Sequence, residues 1–220
     1  MKILVIDDSA NHQNSAQQVL GALHDLTVVG SHDEALELLE PQLDNEKYKT
    51  LKSEYMSQGI ESWPAHKKAE AESWLPYWDV VLCDLLMPAG RATQGGEGLK
   101  HVGKEMSVGW ALAITAALRG AKYVAVVTDM GHHDHPASAM LDAMNNTIFV
   151  LHNAKALFTN YVGMVGIEGT QGTCAKCSGS GKDGTYGCYR CNGTGTAYSQ
   201  HGKDWADILA KLLGEKKLGN

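Results

Sequence analysis

The chain has no excess of positive charge: 25 acidic residues face 19 lysines and arginines, for a formal net charge of −6. Neutralising a phosphate backbone requires a basic field, so broad coating of a nucleic acid is excluded, although a local basic patch is not. Long hydrophobic runs are also lacking. The longest apolar region, "ALAITAALRGAKYVAVV", is broken by Arg119 and Lys122, so no membrane span and no membrane partner are expected. The opening "MKILVIDDSA" turns acidic at once and lacks the apolar stretch and cleavage site of a secretory signal. Of only five cysteines, four fall into two C-x-x-C pairs and Cys83 stands alone. That usage fits a reducing compartment and metal binding better than disulfides, and a cytoplasmic location is expected.

What is present is an ordinary globular composition, 44% apolar and 20% charged, long enough to bury a real core. "KILVI" (2–6), "LTVVG" (26–30), "DVVLCD" (79–84), "KYVAVVTD" (122–129) and "TIFVL" (147–151) read as five short strands. Between them lie a helix beginning near Ser9, "SHDEALELLE" (31–40) with Ser31 and Glu34 at capping-box spacing, a helix over about 98–119, and "HPASAMLDAMNN" (135–146). "KDWADILAKLLGEKK" then places Trp205, Ile208, Leu209, Leu212 and Leu213 on one helical face. Strands alternating with helices imply an α/β fold with a doubly wound, five-stranded parallel sheet and right-handed crossovers. Two segments interrupt this rhythm: a charged, helix-prone insertion over 41–78 and a cysteine-bearing insertion over 168–202. The main domain would then comprise 1–40, 79–167 and 203–220. Trp63, Trp74 and Trp78 read as packing of the helical insertion.

Ligands of open α/β sheets sit at the carboxyl ends of strands. Asp7 and Asp8 follow the first strand, Asp84 ends the third and Thr128 follows the fourth. Clustered carboxylates repel unless a hard cation neutralises them, and Mg²⁺ suits such a set. A carboxylate beside Mg²⁺ can act as a nucleophile toward a phosphoryl group. "ILVIDDS", "DVVLCDLLMP" and "VAVVTD" resemble the first, third and fourth strands of two-component response-regulator receiver domains. The resemblance covers roughly 1–40, 79–152 and 203–218. It implies a flavodoxin-like strand order 2-1-3-4-5, with Asp84 as phosphoacceptor, Asp7, Asp8 and Asp84 holding Mg²⁺, and Thr128 as the hydroxyl contacting the phosphoryl group. It also implies a lysine at the end of strand five. "FVLHNA" puts His152 there, with Lys155 three residues on, and either is expected to fill that role. Cys83, mid-strand, reads as a small buried hydrophobe.

Cys174, Cys177, Cys188 and Cys191 form C-x2-C-x10-C-x2-C, each pair continuing as C-x-x-C-x-G-x-G. Two such turns present four thiolates to one tetrahedral Zn²⁺. The repeat resembles the zinc-binding module of DnaJ-type co-chaperones. Lys176, Lys182, Arg190 and Lys203 against Asp183 give this stretch a local charge of +3, and Tyr186, Tyr189 and Tyr198 lie nearby. Contact with a protein partner is expected ahead of contact with nucleic acid. A connection from strand five to the closing helix would put the module on Asp84's edge of the sheet. His132, His133 and His135 in "TDMGHHDHP" form a candidate second metal site. The expected function is that of an atypical receiver in signal transduction, phosphorylated at Asp84, served by a histidine kinase and acting through protein partners. A phosphorylation-independent adaptor is the alternative, and a metal-dependent hydrolase or nuclease using the histidine loop is a further one. Self-catalysed phosphorylation is the most enzymatic activity expected.

Overall fold

A computed structural model describes residues 1–75, 77–92, 94–144 and 146–215. In chain order the elements are β1 (Lys2–Ile6), α1 (Ala10–Leu20), β2 (Asp25–Val29), α2 (His32–Leu39), α3 (Asn45–Ser57), α4 (Ser62–Glu72), β3 (Val80–Asp84), β4 (Met87–Pro88), β5 (Glu105–Met106), α5 (Gly109–Leu118), β6 (Tyr123–Val127), α6 (Pro136–Leu141), β7 (Ile148–Leu151), β8 (Ala154–Thr159), β9 (Met164–Gly166), β10 (Gln171–Thr173), β11 (Lys182–Asp183), β12 (Tyr186–Gly187), β13 (Thr196–Tyr198), β14 (His201–Lys203) and α7 (Trp205–Leu213).

The central sheet has six strands in the order β2-β1-β3-β6-β8-β7, all parallel except β7. Successive side chains point to opposite faces, so each strand feeds two cores. Ile3, Val5, Val80, Leu82, Ala125, Val127 and Leu157 pack under α1 and α7, through Ala16, Leu20, Trp205, Ile208 and Leu212. Leu4, Ile6, Val81, Cys83, Val124, Val126, Ala156 and Phe158 pack under α2, α5 and α6. Cys83 is fully buried there. Helix α7 ends at Gly214, whose φ of 75° closes the helix in the left-handed conformation.

The fifth parallel strand is not 147–151. That segment is the antiparallel edge strand β7, joined by a tight turn at His152 and Asn153 to β8, which takes the fifth parallel place. The burial explains the exchange: β8 is buried at all but one position, whereas β7 alternates exposed and half-buried residues as an edge does. The helix expected over 98–119 is also shorter. Gly109 starts α5 because its amide donates to the Leu85 carbonyl, and a Cβ there would collide with the Asp84 carbonyl oxygen.

Helices α3 and α4 pair with each other over Tyr55, Ala65 and Ala69. The ends of the 41–78 segment meet through Asp44 N–H to the Ser73 carbonyl (2.8 Å) and Leu75 N–H to the Gln42 carbonyl (2.9 Å). Trp78 is buried with its indole donating to the Leu38 carbonyl, while Trp63 and Trp74 are exposed. Because the segment leaves α2 and enters β3, it lies toward the amino edge of the sheet, away from Asp84. Among the described residues, no helix is long and apolar enough to cross a membrane.

Candidate functional site

Strands β1 and β3 are neighbours, so their carboxyl ends bring Asp7, Asp8 and Asp84 together, with ligand oxygens all within 4.8 Å of one another. Asp7 and Asp84 are buried and Asp8 is exposed. Like charges this close need a cation. The chain supplies one that sequence reading missed: Lys203, fully buried, donates to Asp7 Oδ2 at 2.7 Å and Asp84 Oδ1 at 2.5 Å. Burial disfavours the ammonium, but Asp7 and Asp84 outweigh it and hold Lys203 above the ordinary lysine range. Burial raises the Asp84 carboxyl to about 6, opposed by Lys203 and assisted by Asp7. Asp8 is raised by burial and by Asp7.

Lys203 ends β14, immediately before the Asp204 cap of α7. Because Lys203 is buried, it does not contribute to the exposed charge of the cysteine-bearing stretch. The residues expected in its place lie elsewhere. His152 occupies the β7–β8 turn with φ of 54°. Lys155 pairs in register with Tyr123 at the amino end of β8, four residues before Thr159 and so roughly 13 Å from the carboxyl edge. Its ammonium lies over the Tyr123 ring. Neither belongs to the acidic site. The error followed from the strand assignment. Counting back from the closing helix, instead of forward from the fifth strand, would have found "GKDW" and Lys203.

Thr128 follows β6 and is buried, its hydroxyl accepting from Met130 N–H at 3.2 Å. Asp129 beside it faces His12 of α1, with Nε2 to Oδ2 at 3.4 Å. That contact, against burial, holds the Asp129 carboxyl down to about 2.

The four expected thiols converge. Cys174 and Cys188 sulfurs are 3.9 Å apart, Cys177 and Cys191 sulfurs 3.7 Å, and all four lie within 4.8 Å. Tetrahedral zinc with Zn–S near 2.3 Å puts its sulfurs about 3.8 Å apart, so the spacing is that of a metal tetrathiolate. The halves repeat every fourteen residues: Ser180 and Thr194 hydroxyls each donate back to the second cysteine's carbonyl (2.8 and 2.7 Å). Gly181 and Gly195 take positive φ of 72° and 81° and pack so closely that an added Cβ would strike the Gly193 or Gly179 carbonyl oxygen.

The histidine loop does not assemble a comparable site. His135 caps α6, accepting from Ala137 N–H at 3.1 Å, and His132 pairs with Asp142 and touches His133. The candidate three-histidine metal site is corrected accordingly: among the described residues, the metal-competent groups are the four cysteines and the Asp7, Asp8, Asp84 cluster.

No family model matches the chain, and neither a curated protein nor a solved structure does.

Proposed function

We propose that this chain is an atypical, Mg²⁺-dependent phosphoacceptor of the response-regulator receiver kind, acting in signal transduction, with Asp84 as the nucleophile. The observation that carries the reading is the Lys203 ammonium between Asp7 and Asp84 at the carboxyl ends of adjacent parallel strands. A structural salt bridge would need one carboxylate. Two on one lysine, with the exposed Asp8 beside them at the edge where α/β sheets bind ligands, fit a site awaiting a second cation and an anion.

The donor set is all carboxylate oxygen, which suits Mg²⁺; Asp7, Asp8 and Asp84 would hold it, and its charge would offset that of an incoming phosphoryl group. An ionised Asp84 oxygen attacks phosphorus, the bond from phosphorus to the donor's leaving group breaks, and an acyl phosphate forms on Asp84. Lys203 would shift from the carboxylate pair toward the new phosphoryl oxygens, and the Thr128 hydroxyl would donate to another. A histidine kinase or a small acyl phosphate would supply the phosphoryl group. The cysteine module would hold structural zinc beside this edge and present the surface a protein partner reads.

Incubation with Mg²⁺ and acetyl phosphate, followed by intact-mass measurement, tests the reading. One phosphoryl adduct is expected in the wild-type chain and none in Asp84→Asn. A wild-type chain that takes up no phosphoryl group from several donors overturns it and favours the phosphorylation-independent adaptor.

A further inference from the structure

Lys203 ends a long flexible side chain, and two carboxylates alone do not fix where its backbone starts. The residue that does so lies on α1. His12 is buried, and its Nδ1 accepts the Lys203 backbone N–H at 3.2 Å while its Nε2 faces Asp129 Oδ2 at 3.4 Å. Both contacts are satisfied by a single neutral tautomer, with the proton on Nε2 and the lone pair on Nδ1. The His12 carbonyl oxygen accepts the Trp205 indole N–H at 2.9 Å, which ties the same turn of α1 to the residue opening α7. One position earlier in β14, Gly202 lies so close to α1 that a Cβ would collide with the Asn11 carbonyl and the Ser15 side chain. The whole of β14 is thus seated on α1, and His12 is the polar latch at its end.

From this geometry we propose that His12, oriented by Asp129, is a positioning residue that sets Lys203 in the acidic site and links it to the loop carrying Thr128. Asp129 directly follows Thr128, so a single imidazole joins the strand end that bears the cation to the one that bears the hydroxyl. Those are the two groups assigned above to the phosphoryl oxygens, and the activity readout rests on that assignment. The Lys203 readouts do not. Loss of the latch leaves the carboxylates in place and lets the ammonium wander, so site geometry suffers more than folding.

The test uses the full zinc-loaded chain and the variants His12→Leu, His12→Asn and Asp129→Ala. Nuclear magnetic resonance reports amide exchange at Lys203 and the ¹⁵N signal of its ammonium, without any phosphodonor. Adduct formation with Mg²⁺ and acetyl phosphate is timed separately. In His12→Leu, Lys203 amide exchange is expected to speed at least tenfold, its ammonium signal to broaden, and adduct formation to slow at least tenfold. His12→Asn, which restores an acceptor near the Nδ1 position, should recover most of the Lys203 protection, and Asp129→Ala should fall between. Unchanged Lys203 exchange and ammonium signals in both His12→Leu and Asp129→Ala overturn the proposal. If His12→Leu does not fold, Asp129→Ala decides, because the Asp129 side chain is 45% exposed and its loss leaves the core intact. If the wild-type chain forms no adduct, the phosphoacceptor reading fails while the Lys203 signals still judge His12.

Discussion

Lys203 is the only cation contacting the buried pair Asp7 and Asp84 among the described residues, and removing it should expose the site's internal repulsion. Breaking a buried ion pair from one side costs about 3–5 kcal/mol, so Lys203→Met should lower the unfolding free energy by that much, read from urea denaturation. Mg²⁺ should then stabilise Lys203→Met more than the wild-type chain, since it restores the missing charge; equal stabilisation of both would show that the cluster does not bind it. Asp84 adds a pH dependence. Its carboxyl is raised from 3.8 to about 6, so the folded chain holds that proton more tightly than the unfolded one. Stability from this group is therefore greatest below about pH 4, is lost as pH rises toward about 6, and is flat above. At about 1.4 kcal/mol per pH unit the loss is at most about 3 kcal/mol, and it should be absent from the stability–pH curve of Asp84→Asn. Mg²⁺ needs the ionised carboxylate, so its affinity, measured by calorimetry, should fall as pH drops through about 6. The three aspartates were legible because they stand at the carboxyl ends of β1 and β3, which pair side by side. Lys203 was not, since the cysteine module separates it from the strand whose end it completes, and His12 gave no signal beyond being one polar residue on an amphipathic helix.

At the scale of elements, the β-branched runs named β1, β2, β3 and β6 correctly, and the closing helix α7 was legible from its apolar stripe alone. The β7–β8 pair was not. Two apolar runs separated by His152 and Asn153 form a hairpin, but only the burial of β8 on both faces distinguishes the parallel strand from its edge neighbour. The correction has a direct consequence: Lys155→Ala should leave Mg²⁺ affinity and adduct formation unchanged, because that side chain lies at the amino edge over Tyr123. In the cysteine module the repeat itself was legible, and the structure adds why its glycines are needed. Gly195→Ala forces a Cβ into a left-handed position against the Gly179 carbonyl. Zinc content per chain, measured by elemental analysis, should fall well below one in that variant, whereas Gly187→Ala, at a position where an added Cβ meets nothing, should retain it.

Across the whole molecule, two short antiparallel pairs, β9 with β14 and β10 with β13, follow one another as a ribbon between the acidic site and the thiols. Lys203 pairs with Met164 and His201 with Gly166. Ile167 N–H then reaches the Gln200 carbonyl and Ser199 N–H the Thr170 carbonyl. Gln171 pairs with Tyr198, and Cys174 N–H meets the Gly195 carbonyl at 2.9 Å. A two-stranded ribbon is marginally stable in water, so this one depends on what pins its ends. At the far end the pin is the cluster of four thiols positioned to hold a metal ion, and a metal-dependent Gly-rich turn loses its fold when its metal is stripped. At the near end the pins are Lys203 and Gly202 against α1. Between them Gln18 of α1 clamps the ribbon, donating to the Gly166 carbonyl at 3.1 Å and accepting Glu168 N–H at 2.9 Å. Stripping zinc with a chelator should therefore fray the ribbon inward from the cysteines and stop near Gln18. Amide exchange should rise most over 171–173 and 196–198, less over 164–166 and 201–203, and not at all in β1, β3 and β6. In Gln18→Ala the same treatment should reach Lys203 and weaken Mg²⁺ binding at the acidic site. If Lys203 stays protected in zinc-free Gln18→Ala, the ribbon holds itself and the metal does nothing for the acidic site.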